Sequence, residues 1–423
     1  MLYMLAGGLF LLIVRPYEHY LFLGEIHIER IYLIFTLIAF ALYKRKKIKM
    51  DSIVVFYFMY LMALWVCAFV GINFDNSYIV VYSYTVGSLV FVLMLFTMHD
   101  EEGYIKITQA MMIVTAIYVL MSFREYLGGR FEYRMGMHRM LGYDITMGQS
   151  NSFATTIVLS YPTLWVLLKT DIIKKKIRYI LYGYAPLSLL CLFLTGSRGG
   201  FVQCLAFVGL LFMKSKKKFL YIFLALLAFV VVWHAIPEEM QNRYYSLIDP
   251  SVAPDPERAR ESAMGRIEGL LHGIDVFKEN IMFGVGPGNL IYTWGDEHRG
   301  FQAHNLIGQI LSDTGLLGTI PFTLLFIICY FRANWIASMG SRLRELFRQQ
   351  SEMENEAVVV DFVAKMGTAT KQLIILLFLG GMSGHNMLRY HWVYVVYLAA
   401  VGSWIMHKYE NIYRYMVTQG DAS

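Results

Sequence analysis

Apolar segments of membrane-spanning length recur along almost the whole chain. Of the 423 residues, 57% are hydrophobic and 16% are charged, a composition typical of polytopic membrane proteins. Because a bilayer core offers the backbone no hydrogen-bond partners, such segments must fold as helices. We predict an all-α polytopic membrane protein with about twelve transmembrane helices, at residues 1–14, 28–43, 52–72, 78–98, 105–122, 150–168, 179–195, 200–213, 219–235, 304–331, 372–386 and 391–406.

Basic residues mark one side of this arrangement. Clusters of Lys and Arg at residues 44–49, 169–178, 214–218 and 332–348 follow alternate spans, and such loops stay in the cytoplasm. Both termini are then cytoplasmic, and the first span is a retained helix rather than a cleaved signal. The predicted division is 1–235 (helices one to nine), 236–303 (one long external loop, partly helical), 304–331 (helix ten), 332–371 (a cytoplasmic loop), 372–406 (helices eleven and twelve) and 407–423 (a cytoplasmic tail).

Lysine and arginine are distributed differently between the two sides. Sixteen of the 17 lysines fall on the predicted cytoplasmic side, whereas 13 of the 20 arginines fall outside. Guanidinium groups bind phosphate or carboxylate through paired hydrogen bonds. The alternative is local ion pairing, since loop 236–303 carries 11 acidic and 6 basic residues. Pairing is the more frequent outcome for one arginine, but the whole set favours an anionic external ligand such as a lipid-linked diphosphate.

Other chemistries leave no motif in the sequence. The four cysteines lie inside apolar segments without CxxC spacing, so they indicate neither a disulfide framework nor a metal site. External Asp-x-Asp, HExxH, GxSxG and Walker A sequences are missing, and these are the motifs of metal, serine-nucleophile and ATP chemistry. We expect no metal, no cofactor and no nucleic-acid partner, and arginines rather than Mg²⁺ beside any diphosphate.

The turn at residues 195–200, Thr-Gly-Ser-Arg-Gly-Gly, joins two spans with almost no loop. The following helix starts here, so its first amides and Arg198 would face the same place and attract an anion. The alternative is a tight turn whose arginine reaches back to the membrane interface. Arg198 is therefore a candidate anion-binding residue.

The long external loop contains a predicted amphipathic helix and a glycine-rich bend. Apolar residues recur with helical spacing through residues 262–280, which suits a helix on the membrane surface or over a cavity. Arg266 lies on this helix, and its side chain would reach the pocket beside His304, at the start of the next span. The alternative is an ion pair with Glu268 or Asp275. Residues 283–289, Phe-Gly-Val-Gly-Pro-Gly-Asn, have no strand before them and contain a proline, so we interpret them as a rigid bend.

Residues 302–305, Gln-Ala-His-Asn, open the tenth span and place a histidine at the membrane rim. A lone interfacial histidine is usually structural, but His304 follows the glycine-rich bend and starts a helix with polar first turns. A neutral imidazole at this position would accept a proton from a sugar hydroxyl. His304 is the candidate catalytic residue, and Asn305 is a secondary candidate.

Two further external segments contribute secondary candidates. Loop 123–149 carries four arginines and no lysine, of which Arg134 and Arg139 are candidates for the site. The segment 384–391, Gly-His-Asn-Met-Leu-Arg-Tyr-His, lies between the last two spans and supplies Arg389. The histidines of this last segment, His385 and His391, are further possible ligands, but aromatic-belt and snorkelling roles are favoured for them.

Four of these motifs, in this order around one long loop, resemble the bacterial O-antigen ligase and polymerase superfamily, whose relatives include protein O-oligosaccharyltransferases. The resemblance rests on residues 195–200, on Arg266, on residues 284–289, and on residues 303–305 followed by Gly-Leu-Leu-Gly at 315–318. It implies a twelve-helix, GT-C-like architecture in the bacterial inner membrane. It also implies an active site on the periplasmic face that transfers a glycan from undecaprenyl diphosphate to an acceptor.

The same resemblance implies roles for individual residues. Arg198 and Arg266 would contact the diphosphate, and His304 would act as the base or orient the acceptor. The partners would be the undecaprenyl-diphosphate-linked glycan donor, a lipid A–core or other glycan acceptor, and membrane lipids. Residues 149–151 depart from the family, because Gln-Ser-Asn stands where some relatives carry an Asn-Pro-Asn-like sequence.

Three functions remain open on the sequence. An O-antigen ligase of lipopolysaccharide biosynthesis is favoured by the compact size and single dominant loop, and the chemistry would be metal-independent with inversion. An O-antigen or exopolysaccharide polymerase differs only in its acceptor. A transporter or flippase for anionic lipids would place charges near the middle of the membrane, whereas the span interiors here are almost free of charge.

Overall fold

The computed structural model describes residues 1–47, 49–134, 136–214, 218–253, 255–295, 302–350 and 353–420. The middle of the predicted basic cluster at 214–218, parts of the predicted external loop at 254 and 296–301, and residues 351–352 and 421–423 of the predicted cytoplasmic segments lie outside this range. Helices dominate the described residues, and a single β-hairpin accompanies them.

The elements follow one another in this order: α1 (Leu2–Ile13), α2 (Leu21–Glu25), α3 (Ile28–Leu42), α4 (Ser52–Val70), α5 (Phe74–Thr97), α6 (Glu101–Leu127), β1 (Phe131–Arg134), β2 (Met137–Met140), α7 (Ser150–Lys169), α8 (Lys175–Leu194), α9 (Arg198–Lys214), α10 (Lys218–Ala235), α11 (Glu238–Tyr245), α12 (Pro256–Glu279), α13 (Leu306–Arg348), α14 (Glu354–Gly381) and α15 (Tyr390–Gly420). A helix lies at each of the twelve predicted spans. Within the described residues, α4 to α8, α13 and α14 are long and apolar enough to cross a membrane, and α1 and α9 are apolar but shorter. The fold is consistent with the all-α polytopic class, and the count of twelve spans stays a prediction.

Asp and Asn side chains cap the first turns of several helices. Asp51, Asn73, Asp100 and Asp255 each accept a hydrogen bond from the backbone amide three residues ahead. These caps satisfy amides that have no partner inside the helix. The sequence therefore encodes where α4, α5, α6 and α12 start.

The core of the bundle forms around α13, which packs against α4, α14 and α15. Trp392 of α15 is 1% exposed and its ring contacts Phe322 and Phe326 of α13 and Phe378 of α14. Lipid tails are as apolar as the side chains of a membrane helix, so helices associate there through close packing. These aromatic contacts provide such packing.

The glycine-rich segment 283–289 fits into a break in α13. Gly315 interrupts the helix with φ 54° and ψ −152°, and the amide of Val285 donates to the freed carbonyl of Ser312 at 2.8 Å. A Cβ on Gly284 would lie 2.4 Å from that same carbonyl oxygen, so only glycine permits the approach. The segment is a bend that anchors the long loop to α13, and α13 accepts several of its amide protons.

Segments predicted to be cytoplasmic lie against one another. Lys408 of the tail forms an ion pair with Glu101 at 2.6 Å, and the Trp404 indole donates to Asp51 at 2.8 Å. Segments predicted to be external converge in the same way on a separate cavity. The contacts bring these two groups of loops together separately, and which group is cytoplasmic stays a prediction.

Candidate functional site

A cavity of about 1030 Å³ is lined by seven of the described arginines. These arginines are Arg134, Arg139, Arg198, Arg243, Arg258, Arg260 and Arg266. The lining also includes Glu257, Glu261, Glu268, Asn151, His304 and Ser383. A smaller polar cavity of about 110 Å³ adjoins it and shares Arg134, Asn151, Arg266, His304 and Ser383.

The cavity is built from loops, helix ends and external elements. The hairpin, α11, α12 and the loop before α13 supply most of its lining, and Arg198 and Asn151 come from the first turns of α9 and α7. Segments far apart in the sequence meet here, and they lie in predicted external loops or at the ends of predicted spans next to those loops. A charged cavity at helix ends is the arrangement expected of an interfacial enzyme rather than of a mid-membrane transport site.

The turn before α9 places Arg198 at the cavity wall. The Ser197 hydroxyl accepts a hydrogen bond from the amide of Gly200 at 3.2 Å and so caps α9. A Cβ on Gly199 would lie 2.7 Å from the Ser383 hydroxyl oxygen. Gly199 therefore lets α9 begin close to Ser383, with Arg198 as the first residue of the helix.

Glycines on α12 bring Arg266 next to His304. A Cβ on Gly269 would lie 2.4 Å from the carbonyl oxygen of Ala303, and one on Gly273 would lie 2.9 Å from the Cα of Gly308. This face of α12 presses directly on the start of α13, as glycine alone allows. Arg266 lies one turn earlier on the same face, so its side chain enters the cavity beside His304.

Arg266 does not form the ion pairs that the sequence left open. Asp275 pairs with Lys278 at 2.8 Å, and among the described residues no carboxylate lies within ion-pair distance of Arg266. Burial lowers the pKa of Arg266, and the charge of Arg198 lowers it further. Arg198 and Arg266 are thus near enough to repel each other, and Arg266 has no carboxylate among the described residues that would offset the repulsion.

His304 is held in an unusual backbone conformation at the cavity wall. Its φ of 46° lies in the left-handed region, which is unfavourable for a residue with a Cβ and is found at functional sites. Burial lowers the pKa of His304, and the charges of Arg266 and Arg134 lower it further. The imidazole is therefore neutral near pH 7 and able to accept a proton.

Asn305 has a structural role in the described part of the chain. Its side-chain oxygen accepts hydrogen bonds from the amides of Ile307 at 2.8 Å and Gly308 at 3.3 Å. Its side-chain nitrogen donates to the carbonyl of Met382 at 3.3 Å. Asn305 caps α13 and fixes the backbone that carries His304, with its own side chain turned away from the cavity.

The two hairpin arginines differ in how they are used. Arg139 is 5% exposed and donates to the carbonyl of Thr195 at 2.8 Å and the side-chain oxygen of Asn151 at 2.9 Å. Arg134 is exposed, and Glu132 lies 3.8 Å from both guanidinium groups. Arg139 is a brace between the hairpin and the turn before α9, while Arg134 remains directed at the cavity.

The loop after α14 lines the smaller cavity. Arg389 donates to the carbonyl and hydroxyl of Ser152 at 3.2 and 2.5 Å. His385 has its ring centroid 5.5 Å from that of His304. Burial, His304 and Arg389 together lower the pKa of His385 to about 4. His385 is consequently neutral, like His304.

Three of the cavity arginines, Arg243, Arg258 and Arg260, are missing from the sequence candidates. Arg243 lies on α11, a helix inside the predicted external loop 236–303 that the sequence pattern did not predict. The excess of external arginines includes Arg243, but no motif distinguishes it from the others.

The middle of the chain matches a known family. Residues 184–323 match the O-antigen ligase family, and no curated protein matches the chain. The matched range contains Arg198, Arg266 and His304, whereas the hairpin and the loop after α14 complete the cavity from outside it. Members of this family are glycosyltransferase-like ligases and polymerases of membranes, with lipid-linked glycans as substrates. The match to the O-antigen ligase family over residues 184–323 supports the resemblance of this chain to the O-antigen ligase and polymerase superfamily.

Proposed function

We propose that this protein transfers a glycan from undecaprenyl diphosphate to the lipid A–core on the periplasmic face of the bacterial inner membrane. The observation that carries the proposal is the cavity in which neutral His304 meets Arg266, a cation with no carboxylate within ion-pair distance among the described residues. A base beside a concentrated positive charge suits a reaction that takes a proton from an alcohol and releases a diphosphate.

In the proposed reaction the acceptor hydroxyl attacks the anomeric carbon of the donor sugar. His304 takes the hydroxyl proton as the new C–O bond forms. The bond from the anomeric carbon to the diphosphate oxygen breaks, and its electron pair leaves with the diphosphate. Attack from the face opposite the leaving group inverts the anomeric configuration.

Arg198 and Arg266 are proposed to hold the diphosphate and to stabilise the charge that develops on it. Preorganised charged donors of this kind contribute on the order of 10²–10³ in rate. The sequence has no external Asp-x-Asp motif, so arginines rather than a metal are proposed for this role. Arg134 is proposed to act at the cavity entrance, and Arg139 and Arg389 to brace the elements around it.

The test is glycan transfer in a bacterial strain that lacks its own ligase. His304→Ala is compared with the wild type at matched membrane abundance, on a gel that resolves capped lipid A–core from lipid-linked ladders. Loss of the base is expected to lower transfer by about 10²–10⁴. Wild-type activity in His304→Ala would show that the base assignment is wrong.

His138→Ala is the matched control, because His138 lies on the exposed face of the hairpin against Phe131 and Tyr133. This variant is expected to transfer glycan like the wild type. If the wild type produced lipid-linked ladders instead of capped core, the protein would be a polymerase of the same superfamily. Absence of any glycan product would remove the glycosyltransferase proposal.

A further inference from the structure

Arg243 is a buried cation that faces the arginine cavity. The residue is 5% exposed, and its Nε and Nη1 atoms are buried with no hydrogen-bond partner among the described residues. Each unsatisfied donor on a buried charged group costs free energy. A protein that retains such a group at a cavity wall normally pairs it with a ligand.

The helix that carries Arg243 is fixed in place. Tyr244 packs between Phe193 and Phe201, and its hydroxyl donates to the carbonyl of Phe193 at 2.9 Å. The Gln241 side chain donates to the carbonyl of Trp233 at 3.1 Å. Since both flanking contacts hold α11 against the ends of α8 and α10, Arg243 is not free to swing out into water.

The charges around Arg243 are positive. Burial is the largest cause that lowers the pKa of Arg243 to about 9, followed by the charges of Arg198, Arg139 and Arg266. Arg139 has carbonyl and carboxylate partners of its own. Such a concentration of guanidinium groups is held together best by an anion that contacts several of them at once.

We propose that Arg243 joins Arg198 and Arg266 in one anion site, which binds the released diphosphate more strongly than the donor diphosphate. This inference rests on the proposed function. The donor diphosphate is esterified at both ends, whereas the released one has a free terminal phosphate that loses a second proton at a pKa of about 6. Three guanidinium groups therefore match the charge that is present only after the glycan has left.

The site would act in two ways during the reaction. It would stabilise the transition state, in which the additional charge is developing, and it would retain the lipid diphosphate after transfer. Inorganic diphosphate carries the same group and is the probe for the site. We expect it to bind the purified protein and to inhibit transfer in competition with the donor.

The experiment measures the thermal unfolding midpoint of purified, detergent-solubilised protein in EDTA with increasing inorganic diphosphate. Sulfate at equal ionic strength controls for screening. For the wild type, diphosphate is expected to raise the midpoint well beyond sulfate. Arg243→Gln is expected to weaken the diphosphate affinity on the order of tenfold, and Arg243→Lys is expected to lose less.

Arg124→Gln is the matched control, because Arg124 is exposed at the end of α6 and lines neither of the two cavities described above. It should bind diphosphate like the wild type. The midpoint of ligand-free Arg243→Gln should equal or exceed the wild-type value, since a repelled charge has been removed. A lower ligand-free midpoint together with unchanged diphosphate affinity would make Arg243 a structural residue and overturn the proposal.

The outcomes separate this inference from the proposed function. Glycan transfer by a wild type that does not bind diphosphate would overturn the anion site and leave the transferase standing. Diphosphate binding that depends on Arg243, without glycan transfer, would support the site and remove the proposed reaction. Equal binding by wild type and Arg243→Gln would exclude Arg243 from the site.

Discussion

The protonation of His304 is coupled to the arginines around it. Burial and the charges of Arg266 and Arg134 lower its pKa below the ordinary value of 6.5. A bound diphosphate brings negative charge to the same arginines and so opposes their effect on the imidazole. The pKa of His304 should therefore rise when the donor binds.

This coupling predicts two different pH profiles. The acid limb of kcat/KM, which reports the free enzyme, should lie below pH 6.5, and the acid limb of kcat should lie at higher pH. Arg266→Gln removes one cause of the lowered pKa, so its kcat/KM limb should move to higher pH. Transfer rates at low and saturating donor between about pH 5 and 8 measure both limbs. If the two acid limbs lay at the same pH, or if the kcat/KM limb did not move in Arg266→Gln, the titrating group would not be His304.

The sequence predicted some of the residues that meet in the cavity, but not which of its arginines are paired with other groups. Arg198, Arg266 and His304 were predicted from local motifs, and the structure brings them to one cavity. Whether an arginine is paired depends on carbonyls and carboxylates brought in by other elements. Arg139 therefore binds the carbonyl of Thr195 and the side chain of Asn151. Arg243, which no motif identifies, is the buried arginine of the cavity.

At the scale of elements, the contact between α12 and α13 positions the site. A Cβ on Gly269 would lie 2.4 Å from the carbonyl oxygen of Ala303, the residue before His304. Part of the predicted apolar stripe of α12 is turned outward, since Met264, Ile267 and Leu271 are about half exposed. Hydrophobic periodicity predicted the helix correctly, but its closest contacts with α13 are made at Gly269 and Gly273, which periodicity does not detect.

Gly269→Ala is expected to separate α12 from the start of α13. The added methyl group meets backbone that cannot move aside without shifting His304 relative to Arg266, and a displacement near 1 Å costs up to about 100-fold in rate. Transfer at matched membrane abundance measures the effect. Gly209→Ala makes the same change on α9, where nothing lies within 4 Å of the new Cβ, and it should retain wild-type transfer. Equal activity of the two variants would contradict the role of this contact.

At the scale of the whole molecule, hydropathy predicted where helices lie but not how far they extend. The predicted span 304–331 is the apolar part of α13, which continues to Arg348, and α14 begins at Glu354, well before the predicted span at 372. Polar residues with good helix propensity continue a helix into water, and a hydropathy profile registers only the apolar part. The number of membrane spans also stays a prediction, because several apolar helices are short for a hydrocarbon core of about 30 Å.

The sidedness of the molecule is testable independently of the span count. The side chains of Met137 on the hairpin and Met240 on α11 would both lie 3.1 Å from a Cβ on Gly196. Elements that meet at one glycine must face the same compartment. Cysteines at exposed Tyr133 and Ile248 should therefore react together with a membrane-impermeant maleimide added to intact spheroplasts.

Two cysteines on the other side complete this experiment. Lys46→Cys and Gln350→Cys lie in segments predicted to be cytoplasmic and should react only after the membrane is permeabilised. The native background is low, because Cys67, Cys191 and Cys329 are buried and Cys204 is partly buried within the apolar helix α9. Reaction at Lys46→Cys and Gln350→Cys from outside would reverse the orientation. Reaction at only one of them would leave an odd number of membrane crossings between residues 46 and 350, contrary to the even number that the alternation of basic clusters predicts.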